Sequence, residues 1–113
     1  MGKWIYAVHT NCLEPAREKE FNEWYDNVHL PDILETPGFT RATRYEIGKP
    51  AEGHARYLAL YELETDDIDR TMAVLQENIA KKREQGRMTE LISVVSRALH
   101  RKITKTQESK KSL

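Results

Sequence analysis

Two strand-forming segments of this chain are apolar on both sides, and that constrains the fold more than any other feature. Residues 3–10, Lys-Trp-Ile-Tyr-Ala-Val-His-Thr, are rich in the aromatic and branched side chains that pack well on a pleated surface. Successive side chains of a strand point to opposite faces, so Trp4, Tyr6 and Val8 share one face, and Ile5 and Ala7 share the other. In a second such run, Tyr57, Ala59, Tyr61 and Leu63 oppose Leu58 and Leu60. A sheet of these strands needs cover on both faces. At roughly 25 cal/mol per Å² of apolar area, leaving several such side chains in water forgoes several kcal/mol, comparable to the stability of a small domain. The 113 residues amount to one ordinary domain, whose helices can cover one face. The other cover is expected from a second copy, giving a homodimer packed sheet to sheet.

The remaining elements follow from periodicity and punctuation. Glu14-Pro15 opens a helix, since proline is at home where its missing N–H would have no partner. Phe21, Trp24, Tyr25 and Val28 then fall at i, i+3, i+4 and i+7, one apolar stripe on a helix of about 14 residues. Pro31 disfavours helical geometry before it, so the spacing predicts a break near His29-Leu30 and a turn through Asp32-Ile33-Leu34. Thr36-Pro37-Gly38 is a turn, and strands are expected over residues 40–47 and 57–63 around a Gly48–Gly53 loop. Thr65 is placed to cap a second helix with Asp66, Asp67 and Asp69 at its positive end, Lys81, Lys82 and Arg83 near its negative end, and Gly86 as its stop. Ile68, Met72, Leu75 and Ile79 form its buried stripe. Residues 88–95 fit either a short helix or an irregular loop, and residues 97–103 alternate as a fourth strand. The order strand, helix, strand, strand, helix, strand is the split βαβ, ferredoxin-like α+β arrangement: four antiparallel strands with both helices on one face. The domain is expected over 1–104, with 105–113 a polar, mobile tail.

Composition removes several classes of function. At 39% apolar and 32% charged, the chain has no stretch near the roughly 18 to 20 apolar residues of a membrane span, so no membrane partner is expected. The apolar run at the start reaches His9-Thr10-Asn11 too soon for a secretory signal, and a cytoplasmic location is expected. Cys12 is the only cysteine, which rules out intramolecular disulfides and thiolate zinc cages. Charge is polarised along the chain: residues 1–80 carry 15 acidic and 8 basic side chains, residues 81–113 carry 3 and 10. The basic residues of the last third are split among a helix end, a strand and a terminal run without interleaved aromatics, so they read as solvated surface and no nucleic-acid partner is expected. Phosphate loops, the G-x-S-x-G elbow and H-E-x-x-H are absent, and His9, His29, His54 and His100 lack metal-ligand spacing among themselves. Neither a metal nor a cofactor is expected.

His29 is the residue that chemistry singles out. It stands four residues after Tyr25, at the helix end, with Asp32 three residues on. An imidazole against the aromatic wall of Trp24 and Tyr25 has a pKa that is easily tuned around neutrality, and it can give or take a proton. Asp32 can orient the ring or act as a second proton-transfer group. The same spacing also suits a plainer arrangement, with His29 capping carbonyls at the helix end and Asp32 capping the next turn. Tyr6, Tyr45, Tyr57, Tyr61 and Arg44 are candidates to line a cavity between sheet and helices, where a phenol or guanidinium can bind an enolate or carboxylate. Core packing or the dimer interface accounts for strand tyrosines equally well.

The stretch Glu20-Phe-Asn-Glu-Trp-Tyr-Asp-Asn-Val-His-Leu-Pro-Asp-Ile-Leu-Glu-Thr-Pro-Gly-Phe39 resembles the EthD-like branch of the dimeric α+β barrel superfamily, in which a W-Y-x-x-V-H-x-P-D helix end precedes a P-G-F turn into strand two. Tyr57-Leu-Ala-Leu-Tyr-Glu62 is similar to the third strand of the same proteins. The resemblance spans about residues 3–80, while 88–95 depart from it. It implies the ferredoxin-like fold and the dimer. It also implies that the histidine matching His29 faces the cavity and serves acid/base chemistry. The superfamily holds cofactor-free cyclases and decarboxylases, isomerases, monooxygenases and haem proteins, so the shared barrel does not fix a reaction.

The expected function is a cofactor-independent lyase or isomerase acting on a small aromatic, lactone or polyketide-like carbonyl compound. His29 is its general acid/base and Asp32 the partner of His29, while Tyr25, Trp24, Tyr6, Arg44 and Tyr61 bind substrate. Two alternatives stand beside it: a non-catalytic dimer that binds a small apolar metabolite, and a haem-binding or oxygen-dependent monooxygenase.

Overall fold

A computed structural model describes residues 1–111. Four strands, β1 (Gly2–Cys12), β2 (Phe39–Glu46), β3 (Tyr57–Thr65) and β4 (Ile92–Arg101), form one antiparallel sheet in the order β2-β3-β1-β4. Between β1 and β2 the chain is helical, with a 3-10 turn (Pro15–Arg17), α1 (Glu18–Trp24), a π-helical turn (Tyr25–His29) and α2 (Leu30–Ile33). The second crossover is α3 (Ile68–Glu84). This is the expected ferredoxin-like α+β topology, with its core between one sheet face and the helices. Tyr6 and Val8 of β1 and Tyr57, Ala59, Tyr61 and Leu63 of β3 meet Phe21, Tyr25, Ile33 and Leu75 there.

Local chemistry places the ends of the elements. Gly38 closes the Thr36-Pro37-Gly38 turn at φ +97°, and a Cβ there would press on the Glu64 carbonyl and the Thr71 methyl at 3.3 Å. Only glycine meets both demands. The cap of α3 is Asp67, which accepts a hydrogen bond from the Arg70 N–H, where Thr65 was expected. The Thr65 hydroxyl instead accepts from the Asp67 N–H and from Thr71, which fastens the strand end to the helix start.

Two further expectations are corrected. The helix does not break at His29-Leu30, since both residues are helical (φ −70° and −58°) and the run continues through Pro31 to Ile33. The π turn is the physical reason. The Leu30 N–H donates to the Tyr25 carbonyl five residues back, and this wider register gives the proline ring room that an α-helical turn denies. The fourth strand begins at Ile92 rather than Arg97, so the ambiguous segment is loop over 88–91 and strand over 92–95. Its alternation was hidden because β4 is bulged: Ser96 faces His9 and Val94 faces Thr10, leaving Val95 as the extra residue.

The outer sheet face carries Ile5 and Ala7 of β1, Leu58 and Leu60 of β3, Thr43 and Tyr45 of β2, and Ala98 of β4, as the strand register dictates. No helix covers it, and Ile5 and Tyr45 are exposed. Of the expected tail, residues 105–111 are exposed and form neither helix nor strand; residues 112 and 113 lie outside the described residues. Among the described residues no helix is long and apolar enough to cross a membrane.

Candidate functional site

The π turn also decides where His29 points. Widening the helix by one residue brings position i+5 over position i, and the His29 ring stacks on Trp24 at 4.7 Å between centroids and 19° between planes. Tyr25 meets the same imidazole edge-on at 5.1 Å. His29 is 9% exposed, and it borders a cavity of about 290 Å³ between the helices and the sheet. Tyr6, Tyr25 and Tyr61 line the same cavity.

Burial sets the protonation of this wall. It lowers the His29 pKa to about 4, with Arg44 adding to the fall and Asp32 opposing it, so the imidazole is neutral at neutral pH instead of poised near 7 as expected. The phenols of Tyr6, Tyr25 and Tyr61 are all pushed upward by desolvation and stay protonated. Tyr25 is 1% exposed, and its hydroxyl lies within reach of the Tyr61 hydroxyl without forming a hydrogen bond of good geometry. A ligand oxygen in the cavity would complete the hydrogen bonding of this pair.

Three residues expected at the site sit beside it. Asp32 is buried, with both carboxylate oxygens taken by Arg87, whose Nε and terminal nitrogen donate at 2.7 and 2.9 Å. It acts on His29 through space and is not free to shuttle protons. Trp24 backs the imidazole and donates from Nε1 to the Arg87 carbonyl at 2.8 Å, which ties the loop after α3 to the helix. Arg44 lies over the far face of Tyr25, 4.2 Å from the ring centroid, held by Asp26 and Asn22. Neither Trp24 nor Arg44 lines the cavity. Tyr57 is turned toward Glu18 and Asn22, and Tyr45 is exposed on the outer sheet face.

Other lining residues were not anticipated. Gln76, Ile79 and Arg83 come from α3, Met88 from the loop and Arg97 from β4. The helix C-terminal basic run hid Arg83, because cations there are accounted for by the helix dipole. Arg97 was hidden because its inward direction depends on a register that the bulge at Val95 obscures. Asn78 donates to the Asp32 carbonyl and the Thr36 hydroxyl at 2.8 and 3.0 Å, locking α3 against α2. Among the described residues no group of three or more His, Cys, Asp or Glu side chains is placed to hold a metal ion.

The Asp32–Arg87 pair yields an asymmetric expectation. Asp32 is nearly out of water, whereas Arg87 reaches solvent. Arg87→Gln leaves a buried carboxylate without its cation, while Asp32→Asn frees a guanidinium that water can rehydrate. In urea melts Arg87→Gln is expected to lower the midpoint more than Asp32→Asn. The reverse order would mean that the pair matters little to the fold.

The fold and cavity together define a small ferredoxin-like α+β protein with a histidine-bordered, aromatic hollow. The chain belongs to the family described as domain of unknown function (DUF4286), whose model matches residues 3–92. No curated protein matches it. Among solved structures, it is similar to a dimeric ferredoxin-like protein from an uncultured marine organism (TM-score 0.64, 13% identity, covering 94% of this chain and 99% of that one). It is similar to an EthD family protein from Bacillus halodurans C-125 (TM-score 0.56, 16% identity, 91% and 100%). It is also similar to SnoaB, a cofactor-independent oxygenase from Streptomyces nogalater (TM-score 0.54, 14% identity, 98% and 100%). At these identities the likeness is one of fold.

Proposed function

We propose that the cavity is the active site of a cofactor-free enzyme, a lyase or isomerase that moves protons on a small aromatic, lactone or polyketide-like carbonyl compound. One observation carries this reading: a buried, neutral imidazole and the protonated phenols of Tyr25 and Tyr61 border the same hollow. The imidazole takes a proton from carbon, the electron pair moves onto the carbonyl oxygen, and the Tyr25 hydroxyl donates to the enolate that forms. Return of the proton to another carbon isomerises the compound, and its delivery to a leaving group completes an elimination. A base with a pKa near 4 is weak, so the substrate must be acidic at carbon, as between two carbonyls or beside a phenolic ring. The helix-end motif and the likeness to an EthD family protein support placing the chain near that branch.

The test is hydrogen–deuterium exchange at the carbon between the ring and the carbonyl of 2-tetralone, which stays un-ionised at neutral pH, in D2O, followed by proton NMR under argon. Accelerated exchange supports the reading. Binding without exchange would leave an accessory dimer that sequesters its ligand. The likeness to a cofactor-independent oxygenase favours a second reading, in which the same carbanion is captured by dioxygen. Product formed only in air would select it. A haem group is poorly matched, because about 290 Å³ lies at the lower edge of the roughly 300–1,000 Å³ that drug-sized ligands occupy.

We also propose that two copies pair through the outer sheet face, burying Ile5, Leu58, Leu60 and Tyr45. The apolar character of that face and the likeness to a protein described as dimeric support the pairing. Light scattering at micromolar concentration is expected to give about twice the 13.2 kDa of one chain, and Ile5→Asp to shift it toward the monomer. A wild-type mass of one chain would remove the pairing.

A further inference from the structure

The cavity wall is uneven in charge. Arg83, one helical turn beyond Ile79 on α3, and Arg97, opposite Val8 on β4, both line it, and no carboxylate does. Of the nine arginines, Arg17, Arg41, Arg44, Arg56 and Arg87 each hold a carboxylate within 4 Å. Among the described residues Arg83 and Arg97 hold none, like Arg70 and Arg101, but only Arg83 and Arg97 line this cavity. The charge of Arg97 reaches inward, since it partly offsets the rise that burial imposes on the hydroxyls of Tyr6 and Tyr25.

We propose that Arg83 and Arg97 recognise a carboxylate on the substrate, so that the site takes a flat one- or two-ring compound bearing an acidic substituent near its reactive carbonyl. This rests on the reading of the cavity as a substrate site and names the class of compound. Both arginines are exposed at the rim, and a carboxylate between them would accept charge-assisted hydrogen bonds from either guanidinium. The cavity volume of about 290 Å³ lies at the lower end of the roughly 300–1,000 Å³ of small-molecule pockets, which suits a compound of one or two rings. The Tyr25 hydroxyl, beside that of Tyr61, supplies an inner polar contact, so the compound is gripped at its acidic end by guanidinium and at its carbonyl by phenol. The polarised sequence thereby gains a purpose, because both arginines belong to the basic last third.

The experiment compares 2-naphthoate with 2-naphthamide, identical in ring and different in charge, by isothermal titration. Wild-type protein is expected to bind the naphthoate at least about 10-fold tighter. Arg83→Gln and Arg97→Gln should each reduce that ratio, and the double variant should bring it to about one while leaving the naphthamide affinity unchanged. Equal affinities in the wild type, or a preference that survives in the double variant, would overturn the proposal. If neither probe binds, both the carboxylate site and the substrate cavity fail. His29→Gln separates the two readings: it should keep the preference for naphthoate. A preference retained in a protein that never exchanges carbon-bound hydrogen would sustain the anion site and remove the proton-transfer chemistry.

Discussion

His29→Gln is expected to slow carbon–hydrogen exchange by at least about 100-fold, the lower end of what a positioned acid or base contributes. Glutamine keeps much of the volume and polarity of the imidazole, so the stack on Trp24 and the edge contact with Tyr25 are disturbed but not emptied. Loss of exchange should therefore come with intact folding, seen as an unchanged circular dichroism spectrum, and with 2-naphthamide still bound. The Tyr25 hydroxyl offers an internal comparison. Tyr25→Phe removes the donor to the enolate but not the base, and it should weaken exchange without abolishing it. Exchange undiminished in His29→Gln would assign the proton transfer elsewhere. With Asp32 held by Arg87, no other described group in the cavity wall is an evident base.

How far the sequence reaches is shown best by the surroundings of the cavity, which have an aromatic half and a basic half. The aromatic half was legible: Phe21, Trp24 and Tyr25 recur at helical spacing, His29 follows at the helix end, and Tyr6 and Tyr61 fall on the inward side of strands whose alternation is plain. Local pattern reaches that far because each contact is set by the pitch of one element. The π turn was not legible, since it is a compromise between an apolar stripe that wants the helix to continue and Pro31, which wants it to stop. The pattern registered the conflict and resolved it the wrong way. The basic half lay further out of reach. Arg87 finds Asp32 across 55 residues of sequence, a pairing that no periodicity encodes. Arg97 turns inward only because Val95 is squeezed out of the ladder. Arg83 and Arg97, read as solvated charge, thus line the cavity.

Acid should expose the same imidazole from the side of stability. The unfolded chain offers His29 at its ordinary value of 6.5, and the folded chain holds it at about 4. Between these values the unfolded state binds the extra proton, so stability rises with pH across the window and falls as pH drops through it. The contribution is whole above about pH 6.5 and declines steadily below. By pH 4 the loss approaches roughly 3 kcal/mol, because each unit of difference corresponds to about 1.4 kcal/mol and the ring is too buried for water to relieve the charge. This is a large share of the 5–15 kcal/mol typical of a domain. Other groups titrate over the same range, so the wild-type curve alone is not diagnostic, and the informative quantity is its difference from His29→Gln. Urea unfolding at fixed protomer concentration, every half unit from pH 7.5 to 4, should give a wild-type curve that falls more steeply below 6.5, with the variant losing less stability between pH 7 and pH 4. Parallel curves would mean that the imidazole gains its proton without penalty in the folded state. It would then lie open to water, and the neutral base on which the proton-transfer chemistry depends would be lost.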